Sequence, residues 1–386
     1  MSGLKEYILK NREMFTIFFA ILLCVAIIVP IIVIRPSKDK PIIIRSNDDF
    51  KIYNFPGLGT SINPYIIENY TIKTSNNYGI FVADVTDFFI IRNNNLQAKT
   101  AGIYISVVAA NRTQLINNTC TNSGIGIYIW NTPGCYIFGN NCSNNFDDGI
   151  NVDSFGEEEV SEYCIVANNT CINNGYNSII IWYSPHALVE NNSCIMPNKS
   201  IIQIWHKCGL VLSESPYTTV RNNIIINTGI EFYGNEEYVL STIFDKNKIN
   251  GKEFGIFTNI DNITIDSSDY GQLYFLNCSD IKIKDQYIRD NYTPLEINNC
   301  TIVHIANCTF NYNYKYGICL RGCEDVKIET TESSYNYIGL HMRNSINVTI
   351  EACIFTNSYW GCYVYQSTYT LTGNTFSDNI EDFYEA

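Results

Sequence analysis

Gly79-Ile80-Phe81-Val82, Gly102-Ile103-Tyr104-Ile105, Gly126-Ile127-Tyr128-Ile129 and Gly149-Ile150-Asn151-Val152 are one phrase repeated at intervals of 23 or 24 residues. A repeat of that length is the signature of a solenoid, in which each copy contributes one turn of a coil. The series continues as Ile179-Ile-Ile, Ile202-Gln-Ile and Ile230-Glu-Phe. It returns, at 22 or 23 residues, as Leu273-Tyr-Phe, Leu295-Glu-Ile, Ile318-Cys-Leu, Leu340-His-Met and Cys362-Tyr-Val, giving some twelve or thirteen coils. In each triplet the outer residues are apolar and the middle one varies. That is the period-2 alternation of a strand with one face in a core.

A second column shares the period. The pairs Asn93-Asn94, Asn117-Asn118, Asn140-Asn141, Asn168-Asn169, Asn191-Asn192 and Asn222-Asn223 fall at one place in successive coils. Asn tolerates the left-handed backbone of a tight corner. Stacked at roughly 4.8 Å, identical amides can also hydrogen-bond along the stack. Strands, Asn and Gly corners, and little helical pattern predict an all-β fold, a parallel β-helix. Leucine-rich repeats want a Leu-x-x-Leu-x-Leu frame and propellers about 40 residues per blade, and neither is present.

The segment Phe55-Pro-Gly-Leu-Gly-Thr-Ser-Ile-Asn-Pro-Tyr-Ile-Ile-Glu-Asn69 and the recurring Asn-Asn-x-x-x-Asn-x-x-Gly-Ile coils resemble the right-handed parallel β-helix repeat proteins, often labelled periplasmic copper-binding NosD type, and their microbial cell-surface members. The resemblance covers roughly residues 42 to 380. It implies a right-handed solenoid, on a fold shared by lyases, hydrolases, epimerases and non-catalytic surface proteins, so it settles shape and not activity. Copper would need clustered Met, His and Cys. His186, His206, His304 and His341 are scattered, and no metal or cofactor is expected.

Met14 to Ile34 is a run of 21 residues without a charge, long enough to span a membrane. It ends in bulky Ile31, Ile32, Val33 and Ile34, unlike a cleavage site. The expected order is a short tail (1–13), a transmembrane helix (14–34), a linker (35–41) and the β-helix (42–386). Lys and Arg flank the run on both sides, so charge does not orient it. Thirteen Asn-x-Ser/Thr sequons favour an extracytoplasmic β-helix, although the Asn ladder itself generates several of them. The fifteen cysteines align in columns, Cys120 with Cys171 and Cys194, Cys278 with Cys300 and Cys323, and Cys308 with Cys353. Buried thiols are the expectation, with a Cys300 bridge to Cys278 or Cys323 the alternative. A formal charge of −13 disfavours a nucleic-acid partner.

The residue after each triplet traces another column: Trp130, Asp153, Trp182, Trp205 and Tyr233. Aromatic planes along a rigid face can stack on sugar rings, and a carboxylate among them accepts hydroxyl hydrogen bonds. The plainer alternative is aromatic packing at a corner. Beside it, Asp147-Asp148-Gly-Ile-Asn-Val-Asp153 resembles the Asp-Asp-x-Ile segment of β-helical polygalacturonases. The partners differ here, Asn131-Thr-Pro replacing Asn-Thr-Asp and Pro185-His186-Ala replacing Gly-His-Gly. Asp147, Asp148, Asp153 and Glu157 also offer oxygens to calcium, without a fixed loop spacing. The expectation is a membrane-anchored, extracytoplasmic β-helix with a structural or glycan-binding role. A polysaccharide lyase, epimerase or hydrolase using the Asp147–Asp148 region is the alternative.

Overall fold

The computed structural model describes residues 40–156, 161–197 and 207–386. The run Met14 to Ile34, Glu157 and Trp205 lie outside the described residues. Among the described residues no helix is long and apolar enough to cross a membrane.

Strands a coil apart pair in parallel. Ile80 faces Ile103, Ile103 faces Ile127, and Ile127 faces Ile150. Among the described residues these strands form one eight-stranded sheet from Ile42–Ile44 to Ile230–Tyr233 and a second from Tyr65–Glu68 to Ile243–Asp245. The outer residues of each triplet point inward: Ile80, Val82, Ile103, Ile105, Ile127 and Ile129 are all 0 % exposed. Each such side chain contributes about 1.5–3 kcal/mol by leaving water. The leading glycine is a matter of space, because a Cβ at Gly102 would sit 2.8 Å from the Gly126 carbonyl oxygen and 2.9 Å from the Cys120 Cβ.

The Asn pairs divide their labour. The first residue turns the corner, with φ of 53 to 56° at Asn93, Asn117, Asn168, Asn191 and Asn222. The second is buried and bonds to its counterpart in the next coil, Asn94 to Asn118, Asn118 to Asn140, Asn140 to Asn169 and onward to Asn247. Each amide oxygen also accepts the backbone N–H of the preceding Asn, so the ladder satisfies buried polar groups. In one coil Gly139 takes the corner and Asn140 the ladder, one residue earlier than the Asn140-Asn141 pair suggests.

One expectation needs correction. The strand that pairs with Ile179–Trp182 is Leu210–Ser213, with Ile179 facing Leu210 and Trp182 facing Ser213, and Ile202-Gln-Ile lies outside the described residues. Ser213 therefore follows Trp182 in the outer column, the place the repeat assigned to Trp205, because the coil from Ile179 to Leu210 is longer than its neighbours. The solenoid runs on through an eleven-stranded sheet from Thr170–Ile172 to Glu381–Glu385, with one reversal inside it. Lys248–Ile249 pairs antiparallel with Lys252–Thr258 across a corner at Asn250 and Gly251, whose φ values are 52° and 81°. Beyond that hairpin a second stack begins with its own core, centred on Leu273, Phe275, Leu295, Ile297, Ile318 and Leu320.

Side chains close the open ends. Helix α1 (Asn47–Ile52) lays Phe50 over the first coil, 4.7 Å from Tyr65 and 5.5 Å from Phe89 between ring centres. At the other end of the first stack, Gln272 accepts from the Ile230 N–H at 2.8 Å and donates to the Ile230 carbonyl at 2.7 Å, standing in for a missing strand. Helix α2 (Glu236–Ser241), also unannounced by the repeat, follows Tyr233 and is capped by Asn235.

The cysteines described are all free and buried. Cys142, which the spacing did not flag, sits between Cys120 and Cys171 and completes that column. Burial pushes the Cys308 and Cys323 thiols up to about 11, which keeps them protonated.

Candidate functional site

The outer face of the first sheet carries the middle residues of the triplets. Tyr104 and Tyr128 stack 4.9 Å apart at 8°, and Trp130 meets Tyr128 edge-on at 6.0 Å. Trp130 and Asp153 are cross-strand partners, and Asp153 accepts from the Tyr128 hydroxyl at 3.3 Å and from the Ser154 N–H at 2.7 Å. Burial raises the Asp153 carboxyl.

Asp148 ties one coil to the next. One of its oxygens accepts from the Asn177 backbone and side-chain N–H groups, both at 3.0 Å, and the other from Asn151 at 3.4 Å. Burial pushes its carboxyl up to about 6 against those hydrogen bonds. Asp147 is half-buried next to it. Among the described residues no group of three or more His, Cys, Asp or Glu is arranged to hold a metal. Three of the histidines are engaged elsewhere: His186 stacks between Tyr163 and Tyr217, His304 bonds Glu329 at 2.7 Å, and His341 stacks between Tyr316 and Tyr363.

Trp182 and Tyr233 come together. Where the second stack meets the outer face of the first, they wall a cavity of about 450 Å³ with Ser213, Asn177 and Tyr292. Tyr292 belongs to the second stack and packs on Val211 of the first sheet. Tyr233 and Tyr292, with hydroxyls 3.5 Å apart, also border a cavity of about 270 Å³ lined by Lys315, Tyr316, Tyr337, Trp360 and Tyr363. On another side of Tyr233 a smaller, polar cavity of about 200 Å³ is bordered by Tyr274, Glu236, Glu296, Asn298 and Arg321. Tyr233 is common to all three. Pockets of a few hundred Å³ with aromatic walls and a few polar groups are the size and make-up of small-ligand sites.

Buried ion pairs hold this junction. Lys315 bonds Glu231 and Arg321 bonds Glu296, with Glu231 1 % and Glu296 3 % exposed. The Lys315 ammonium also lies 5.2 Å from the centres of the Tyr233 and Tyr292 rings and 4.9 Å from that of Tyr316. Burial pulls Lys315 toward neutrality, but the Glu231 carboxylate, its hydrogen bond and the neighbouring Tyr316 and Tyr233 together outweigh it and raise its pKa. His341 is pushed down to about 3 by burial and then by Arg321, Lys315 and Arg343, so it is neutral.

Sequence reasoning did not single out Glu231, Tyr292, Glu296, Lys315 or Arg321. One signal was present. The middle of the triplet is Phe, Tyr or Ile in half of the coils and uncharged in nearly all, and a carboxylate stands there in Ile230-Glu231-Phe232 and Leu295-Glu296-Ile297. A buried carboxylate on a face that otherwise carries none marks the place where another part of the chain covers it.

The chain belongs to the family described as right-handed beta helix region, whose model matches residues 58–179 and 255–382. The two segments fall on either side of the junction. The chain is also similar, at low identity and low TM-score, to solved structures. A double mutant of the periplasmic alginate epimerase AlgG is 12 % identical over 79 % of this chain and 62 % of its own, with a TM-score of 0.27. The catalytic domain of a GH87 alpha-1,3-glucanase in complex with tetrasaccharides is 12 % identical over 89 % of this chain and 70 % of its own, at 0.29. The A-module of the Azotobacter vinelandii mannuronan C-5 epimerase AlgE4 is 10 % identical over 84 % of this chain and 88 % of its own, at 0.26. This chain thus spans less than two thirds of the first of these proteins. No curated protein matches it.

Proposed function

We propose that this is a membrane-anchored, extracytoplasmic β-helix protein that binds a glycan in the aromatic cleft between its two stacks. The observation that carries the reading is the convergence of Trp182, Tyr233 and Tyr292 on one cavity of about 450 Å³. Apolar ring faces take up the C–H faces of a sugar, and Asn177 and Ser213 bond its hydroxyls. Trp130 and Asp153 lie further along the same sheet face and extend the surface available to a longer chain. Met14 to Ile34 supplies the anchor on grounds of length and apolarity.

The test is a glycan array probed with the full chain in detergent, followed by titration of the best binder. Trp182→Ala or Tyr292→Ala should weaken binding by about 1–3 kcal/mol, the scale of a lost aromatic anchor. Unchanged affinity in both folded variants would remove the cleft as the site.

A second reading keeps an enzyme in view, with Asp147 and Asp148 as its carboxylates. The observation in its favour is the Asp148 carboxyl at about 6, in the range of a general acid. Release of reducing ends from a bound glycan, abolished in Asp148→Asn, would establish it.

A further inference from the structure

We infer that the junction cleft selects uncharged glycans and turns polyuronates away. The inference rests on the glycan-binding reading and concerns which sugars that site accepts. Three side chains among the described residues lining the cavities could carry positive charge: Lys315, Arg321 and His341. Each is either paired with a carboxylate or neutral, so none offers an uncompensated charge to a sugar carboxylate. Lys315 is committed to Glu231, and Arg321 to Glu296. His341 is buried between two tyrosine rings beside Arg321 and Lys315, which keep it neutral.

A uronate entering the cleft meets no net positive charge, and to take a cation as its own counter-ion it would have to displace Glu231 or Glu296. That would strand a carboxylate that is almost wholly buried, and breaking one half of a buried pair is strongly unfavourable. The surroundings repel anions further. Glu236 borders the polar cavity, Asp153 lies on the adjoining sheet face, and the chain as a whole carries −13. What is left for recognition is ring faces together with the Ser213 hydroxyl and the second N–H and lone pair of the Asn177 amide, whose first ones are bonded to Asp148 and the Cys208 N–H, the chemistry that reads C–H faces and hydroxyls.

Matched-length oligomers of uncharged hexoses and of uronates, titrated against the full chain in detergent at low and high salt, test this. The uncharged oligomers should bind with little salt dependence, and the uronates at least about tenfold more weakly. Glu296→Gln releases Arg321 and should raise the ratio of uronate to uncharged affinity, with a salt dependence the parent lacks. Thermal melting confirms that the variant is folded. Uronates bound as tightly as uncharged oligomers would overturn the selectivity and leave the glycan reading standing. A folded Glu296→Gln protein with an unchanged ratio would remove the charge argument. Binding of no oligomer at all would overturn both.

Discussion

Asp148 shows how a residue can look catalytic while serving the coil. Its carboxylate receives three hydrogen bonds, two of them from Asn177 in the next coil, yet burial still outweighs them and lifts its pKa from 3.8 to about 6. The sign follows from linkage: between those values the folded state holds more protons than the unfolded state, so this group's contribution to stability falls as pH rises from about 4 to 6. Asp148→Asn keeps an oxygen for Asn177 and removes the charge. The variant should gain on the parent as pH rises through that window, by up to about 3 kcal/mol. Urea melts at several pH values measure the difference; parallel curves for the two proteins would refute a structural carboxyl with a raised pKa. The Asn ladder belongs to the same scale. Asn at both positions of each pair was legible, but not which residue turns and which bonds, because both roles favour the same side chain.

Elements that repeat were readable and elements that interrupt were not. The triplet pattern located the strands from Tyr78–Ala83 to Ile179–Trp182, since each must bury alternate residues against its neighbours. It then chose Ile202-Gln-Ile over Leu210–Ser213, because both stretches offer an apolar alternation and only the length of the preceding connection decides between them. The hairpin at Asn250-Gly251 lies in the stretch between Ile230-Glu-Phe and Leu273-Tyr-Phe where the triplet series gave no strand, and there Lys252–Thr258 runs antiparallel to Lys248–Ile249. At the end of the first stack one side chain takes the backbone partners of Ile230. A Cβ at Gly229 would sit 2.5 Å from the Gln272 Oε1, so the approach that lets Gln272 bridge Ile230 depends on glycine. Gln272→Ala leaves a buried N–H and a buried carbonyl without partners and should cost about 2–4 kcal/mol. Hydrogen exchange at Ile230 should quicken with it; unchanged protection there would mean that Gln272 does not serve as the closing strand.

At the scale of the whole molecule, function rests on where the repeat breaks. A continuous solenoid offers one long face. The junction folds the second stack against that face and brings Tyr292, from a coil more than a hundred residues after Trp182, to the same cavity. That is why Trp182 and Tyr233 could be picked from the column while the residues that complete the site could not: proximity across the junction leaves no period in the sequence. The anchoring reading predicts that protease added to intact cells removes the β-helix and spares a fragment near residues 1–40. Protection of the β-helix until the cells are lysed would reverse the orientation. The central claim, that the junction cleft is the glycan site, is tested most directly by a crystal structure of the protein with an uncharged oligosaccharide that it binds. The account predicts a sugar ring lying against Trp182 and Tyr292, with a hydroxyl bonded at Ser213 or Asn177. A sugar seated instead on the outer face of the second stack, along Lys282, His304 and Lys327, with the cleft empty, would contradict it.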